Sequence, residues 1–140
     1  GGTGYASEAV MKNDRFIKVL VIEGDSDIRA MVRFSFTACG DFDLEFCASG
    51  FEVMRAVSDF SPDVVILDAS LPMERGRTIV QVLRMLPEMD DIPIICAAGE
   101  YLESEIKKLL DLGVSNVVSR PFDLFALPGQ VLRTYGQIYA

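Results

Sequence analysis

The stretch Val64-Val65-Ile66-Leu67-Asp68-Ala69-Ser70-Leu71-Pro72-Met73-Glu74-Arg75-Gly76 decides the fold. Its first four residues are apolar, mostly β-branched, and end in a carboxylate, Asp68. A run this short and apolar on both faces predicts a buried strand of a parallel sheet. Pro72 and Gly76 then break the chain before the next helical pattern. Asp68 falls at the carboxyl end of a central strand, the edge where open α/β sheets bind ligands. Alone, it reads equally well as a turn or helix-capping aspartate. The rest of the sequence separates these readings.

Before this stretch, Phe16–Ile22 reads as a first strand running into the acidic turn Glu23-Gly24-Asp25-Ser26-Asp27. Ile28–Ala38 has helical spacing behind an Asp or Ser cap and stops at Cys39-Gly40. Leu44–Cys47 is a second strand, and Gly50 opens a helix with Phe51, Val53, Met54 and Val57 on one face. Ser61-Pro62-Asp63 closes that helix and leads into the central strand. Beyond it, Thr78–Leu86 is a helix, Ile92–Ala97 a strand and Leu102–Leu112 a helix that stops at Gly113. Asn116–Val118 is the fifth strand. Pro128-Gly129 then delays the last helix, so an irregular turn is expected over Asp123–Leu127.

Strand and helix alternate five times with short connections. That pattern implies a parallel sheet with helices on both faces, joined by right-handed crossovers. Its length suits the flavodoxin-like (βα)5 fold with strand order 2-1-3-4-5 better than a dinucleotide fold. No G-x-G-x-x-G follows the first strand, which disfavours a dinucleotide site.

The chain has 140 residues, enough for one domain, placed over residues 15–140. Gly1–Asp14 lacks periodicity and reads as a flexible lead-in, either artificial or the end of a preceding segment. Histidine is absent, which excludes a histidine-based triad or metal site within this chain. The three cysteines have no metal-ligand spacing, and Cys47 and Cys96 lie in apolar runs as reduced core residues. A net charge of −8 disfavours direct nucleic-acid binding. No apolar run reaches the roughly 20 residues of a membrane span, and no secretory signal is visible. A cytoplasmic protein with no membrane contact is expected.

In a parallel sheet all carboxyl ends lie along one edge. Here that edge receives Glu23 and Asp25, Asp68, Ala98-Gly99-Glu100 and Arg120. Strands one and three are neighbours in the 2-1-3-4-5 order, so their carboxylates share a small region. Like charges that close need a cation between them. Oxygen ligands with water suit Mg²⁺. One reading is a carboxylate that accepts a phosphoryl group, with a metal and Arg120 stabilising the charge. The other is a surface ion-pair cluster without chemistry.

These residues resemble the receiver domain of two-component response regulators over roughly Lys18 to Ile138. The resemblance rests on VLVIEGDSDIR, Gly50, SPDVVILDASLPMERG, IPIICAAGE and GVSNVVSRPF. Its strongest element is the D-x-x-L-P-x-x-x-G pattern of Asp68–Gly76, with Arg120-Pro121-Phe122 at the expected distance. It implies a signalling phosphoprotein that accepts a phosphoryl group on Asp68 from a histidine kinase or phosphotransfer protein. At most, such a domain catalyses its own phosphorylation and dephosphorylation. It also implies Mg²⁺ at Glu23, Asp25, Asp68 and the backbone carbonyl of Ser70. Output to a downstream protein or effector domain would use the face formed by the fourth helix, fifth strand and last helix. A homodimer through that face is compatible with the resemblance.

The departures from the family pattern are specific. The usual second acid after the first strand is Gly24, which cannot ligate a metal and implies weaker Mg²⁺ binding. The usual Ser or Thr ending the fourth strand is Ala98, the switch aromatic is Val117, and the lysine is Arg120. These changes motivate an alternative: a pseudo-receiver that acts as a protein-interaction module without phosphoryl transfer. A remoter alternative is a haloacid-dehalogenase-like phosphatase, because Asp25-Ser26-Asp27 resembles that family's aspartate pair.

Overall fold

The computed structural model describes residues 11–12, 15–48, 50–67, 72–97, 102–118 and 124–139. The strands are β1 (Arg15–Ile22), β2 (Phe42–Cys47), β3 (Val64–Leu67), β4 (Ile94–Ala97) and β5 (Asn116–Val118). The helices are α1 (Ser26–Cys39), α2 (Val53–Phe60), α3 (Met73–Met85), α4 (Glu103–Asp111) and α5 (Leu127–Tyr139). The five strands pair in parallel in the order β2-β1-β3-β4-β5. This is the expected flavodoxin-like sheet.

Successive residues of the central strands point to opposite faces. Leu20, Ile22, Val65, Leu67, Ile94 and Cys96 meet α2, α3 and α4 in one core. Ile17, Val19, Val21, Val64, Ile66 and Ile95 meet α1 and α5 in the other. Burial on both faces explains why β3 is apolar throughout, while the edge strand β2 alternates half-buried and exposed residues.

Within the stretch read as a lead-in, Met11–Lys12 forms a short antiparallel strand against Arg15 and Phe16. β1 starts two residues before its parallel pairing with β2 begins at Ile17, and this overhang supplies the ladder. α3 begins at Met73, earlier than the sequence spacing suggests. Gly76 does not break it. The Gly76 N–H donates to the Pro72 carbonyl at 3.0 Å, and a Cβ there would stand 3.7 Å from Leu67 Cδ2. Gly76 therefore lets α3 lie close over the end of β3. As expected, a 3₁₀ turn over Leu124–Ala126 precedes α5, and Pro128 falls in its first turn.

Two of the apolar stripes are narrower than the sequence suggests. In α2, Val53 and Val57 are buried, but Phe51 is fully exposed and Met54 is 55 % exposed. Gly50–Glu52 is a 3₁₀ turn, and its tighter winding takes Phe51 out of the α-helical stripe. In the second, Leu102, Ile106, Leu109 and Leu110 have helical spacing, yet only Leu109 of α4 is buried, whereas Leu110 and the capping residue Leu102 are exposed.

Cys47 and Cys96 are buried free thiols, and Cys39 is an exposed one at the end of α1. Burial, followed by the charges of Glu52 and Glu45, pushes the Cys47 thiol up to about 12. A thiolate is the reacting form. Titration of the native protein with a disulfide reagent at pH 8 is therefore expected to modify Cys39 rapidly. Cys47 and Cys96 should follow only in denaturant. Rapid modification of Cys47 without denaturant would contradict this packing.

Candidate functional site

The carboxyl ends of β1 and β3 lie side by side, with Ile22 paired to Leu67. The residue that leaves β1 is Glu23, which is only 3 % exposed. Its backbone N–H donates to the Cys47 carbonyl at 3.0 Å, fixing the β1 exit to the end of β2. Its side chain turns back, and Oε2 accepts the Asp25 N–H at 3.1 Å. A buried carboxylate is costly unless hydrogen-bonded, so this contact orients Glu23 as well as holding it. The sequence assigned Glu23 to this edge, and the structure places it there.

Asp25 has a second task. Its Oδ1 accepts the backbone N–H groups of Asp27 at 2.8 Å and Ile28 at 3.2 Å, which caps α1. Such a cap contributes about 1 kcal/mol to a helix. The Asp25-Ser26-Asp27 pattern is thus a helix start, with Asp27 in the first turn favoured by the helix dipole. Asp25 is exposed, in contrast to Glu23.

Gly24 lies between them. Its φ is outside the left-handed region, so the backbone does not require glycine. A Cβ there would meet the Ala48 carbonyl oxygen at 3.3 Å, a tight contact with the loop after β2. Among the described residues no cluster of three or more carboxylate or thiol groups forms a metal site. Glu23 alone among them offers a buried hard-oxygen ligand at this edge, and such oxygens suit Mg²⁺. Asp68, Ser70, Ala98 and Arg120 lie outside the described residues.

At the other side of the sheet, Val117 pairs with Cys96 and is half-buried against the core beneath α3 and α4. The strand end is pinned below: the Ser115 N–H donates to the Ile94 carbonyl at 2.8 Å, and Ser115 Oγ accepts the Ile94 N–H at 3.1 Å. As an aromatic just before the last helix, Phe125 reads from the sequence as packing that helix onto the sheet. It is instead 55 % exposed and meets Phe34 of α1 edge-to-face at 5.9 Å. A lone aromatic before a helix carries no signal that distinguishes these two outcomes.

The sequence matches the family model described as the response regulator receiver domain over residues 19–131. The chain belongs to this family. The matched receiver segment contains all five parallel strands except the start of β1, and it ends within α5. Transcriptional regulatory protein PrrA of Mycobacterium bovis is 26 % identical over 114 residues, covering 81 % of this chain and 48 % of that protein. Regulatory protein VirG of Agrobacterium tumefaciens is 29 % identical over 119 residues, covering 84 % of this chain and 43 % of that protein. The receiver thus spans about half the length of these curated relatives. Chemotaxis protein CheY4 of Vibrio cholerae has the same fold, with a TM-score of 0.76 at 24 % identity over 85 % of this chain and 98 % of that one. Membership in the family supersedes the phosphatase alternative. No helix among the described residues is long and apolar enough to cross a membrane.

Proposed function

We propose that this receiver accepts a phosphoryl group on Asp68 and passes the signal on through a two-component pathway. The supporting observation is Glu23: a carboxylate 3 % exposed, oriented by the Asp25 N–H, at the exit of the strand paired with the one that leads to Asp68. A carboxylate is buried and fixed in this way at a cost, and a cation-dependent acceptor site accounts for that cost. The donor is a phosphohistidine on a kinase or phosphotransfer protein. An Asp68 carboxylate oxygen forms the new P–O bond, the P–N bond breaks, and the leaving imidazole takes up a proton. Arg120 balances negative charge on the transferred group. Glu23, Asp25 and Asp68 with the Ser70 carbonyl would hold Mg²⁺, which would supply positive charge against the phosphoryl oxygens. With Ala98 in place of a hydroxyl, the acceptor site lacks one neutral hydrogen bond, worth about 0.5–1.5 kcal/mol. The output face is α4-β5-α5, where Leu102 and Leu110 are exposed and available to a downstream protein or a second copy.

A second reading is favoured by one observation. Asp25, the acid that replaces the missing one at Gly24, spends Oδ1 on the α1 cap. In that reading the domain is a pseudo-receiver that docks a partner without phosphoryl transfer. The test is beryllium fluoride with Mg²⁺, read by amide NMR, with Asp68→Asn as control. Beryllium fluoride stands in for the phosphoryl group on the aspartate. Shifts at Glu23 and Asp25 that reach α4 and vanish in Asp68→Asn are expected. No shifts at millimolar Mg²⁺ would establish the pseudo-receiver instead.

A further inference from the structure

A groove of about 750 Å³ runs between α3 and the 3₁₀ turn that leads into α2. Its walls include Val53, Ile79 and Val82, while Glu74 and Arg75 stand on its rim. Phe51 lines one edge, yet its ring is 100 % exposed. The turn that carries it rests directly on α3, since a Cβ on Gly50 would meet Ile79 Cγ1 at 3.4 Å. Phe51 is therefore held out on a supported turn, beside an apolar groove into which its own ring does not fold. Met54, one turn on, is 55 % exposed as well.

We propose that this groove binds a second copy of the chain, with Phe51 of each copy seated in the groove of the other. A projection and a recess on one patch satisfy the condition for a two-fold interface, in which each surface is complementary to itself. The rim charges fit the same symmetry. Glu74 and Arg75 are adjacent, exposed and without an ion-pair partner among the described residues. A two-fold axis through the groove brings Glu74 of one copy towards Arg75 of the other. On a chain of net charge −8, a rim of one sign would repel its copy, and this rim is neutral. Two phenylalanine rings bury roughly 300–500 Å² together, well below a standard interface. The dimer is accordingly weak and forms at high local concentration. It uses a face distinct from α4-β5-α5 and does not depend on phosphorylation of Asp68.

Sedimentation velocity from micromolar to millimolar protein tests the proposal. The unaltered chain should shift from monomer to dimer across that range. Phe51→Glu should weaken the dimer by at least about ten-fold, a change of 1.4 kcal/mol in affinity. Phe51 is fully exposed, so this variant retains the fold, which circular dichroism verifies. Glu74→Arg and Arg75→Glu should each weaken association, and the two together should restore it. Met31→Glu on α1, which packs on the opposite face of the sheet, should leave it unchanged. A chain monomeric at millimolar concentration would overturn the proposal and leave the groove to a partner of another kind. A dimer that survives Phe51→Glu or fails with Met31→Glu would also overturn it.

Discussion

Gly24→Asp is expected to tighten Mg²⁺ binding by about 10- to 100-fold, equivalent to 1.4–2.8 kcal/mol. The position tolerates a side chain, because its φ is not left-handed and its one close contact among the described residues is the Ala48 carbonyl at 3.3 Å. A few tenths of an ångström of movement in the loop after β2 accommodates the new Cβ. The added carboxylate would adjoin Glu23, which is already buried and oriented. Two unit charges 4 Å apart interact by about 4 kcal/mol at an effective dielectric constant of 20. The attraction to a divalent cation exceeds that, but repulsion from Glu23 offsets part of it. The same substitution should therefore lower the melting temperature without Mg²⁺ and raise it in millimolar Mg²⁺. Calorimetric titration and a pair of thermal scans measure both effects. Unchanged Mg²⁺ affinity would mean that Asp25 already supplies the second acid despite its place in the α1 cap.

That substitution also marks the limit of what the sequence discloses. The strand Val64–Leu67 is legible because burial on both faces leaves no polar position. The same logic recovers β1, β4 and the 2-1-3-4-5 order. Glu23 is legible as a site residue because it is the first charged residue after an apolar strand. Its burial and its bond to the Asp25 N–H are not, since both depend on how the β2 exit closes over it. Phe51 and Phe125 are misread for a shared reason. Each precedes a helix through a 3₁₀ turn, and three residues per turn shifts a side chain out of phase with the 3.6-residue stripe. Gly76 reads as a breaker, although within α3 it serves the approach to Leu67. A glycine's signal is the same whether the chain turns or packs closely there.

Arg84→Met is expected to destabilise the fold by roughly 3 kcal/mol, the largest loss anticipated from any residue that is not fully apolar. From α3, the Arg84 guanidinium donates to the Gly113 carbonyl through Nε at 3.2 Å and Nη2 at 2.7 Å. Nη1 donates to the Met89 carbonyl at 2.6 Å. One side chain thus ties α3, the turn after it and the connection from α4 to β5. Burial pushes its pKa below the ordinary arginine value, and Asp90 opposes that shift, so the ion stays charged. Methionine keeps the apolar stem and removes every donor, so the Gly113 carbonyl loses both guanidinium bonds and the Met89 carbonyl keeps only the Ile92 N–H. For a domain of this size the melting temperature should fall by about 10 °C. Arg84→Lys should recover only part of this, because an ammonium cannot match a planar fork. Gly113 supplies the internal check. Its φ is +111°, and a Cβ there would stand 3.0 Å from Arg84 Nε. Gly113→Ala should therefore destabilise through both backbone strain and crowding. In the Arg84→Met background the Gly113 methyl no longer displaces a hydrogen-bonded guanidinium, although the strain and the 3.3 Å approach to the side-chain stem remain, so the double variant should lose less than the sum of the two single losses. Hydrogen exchange should then quicken at Val114–Val118 before it does in β1 and β3. Uniform quickening across the sheet would show instead that Arg84 supports global stability rather than the α4–β5 junction.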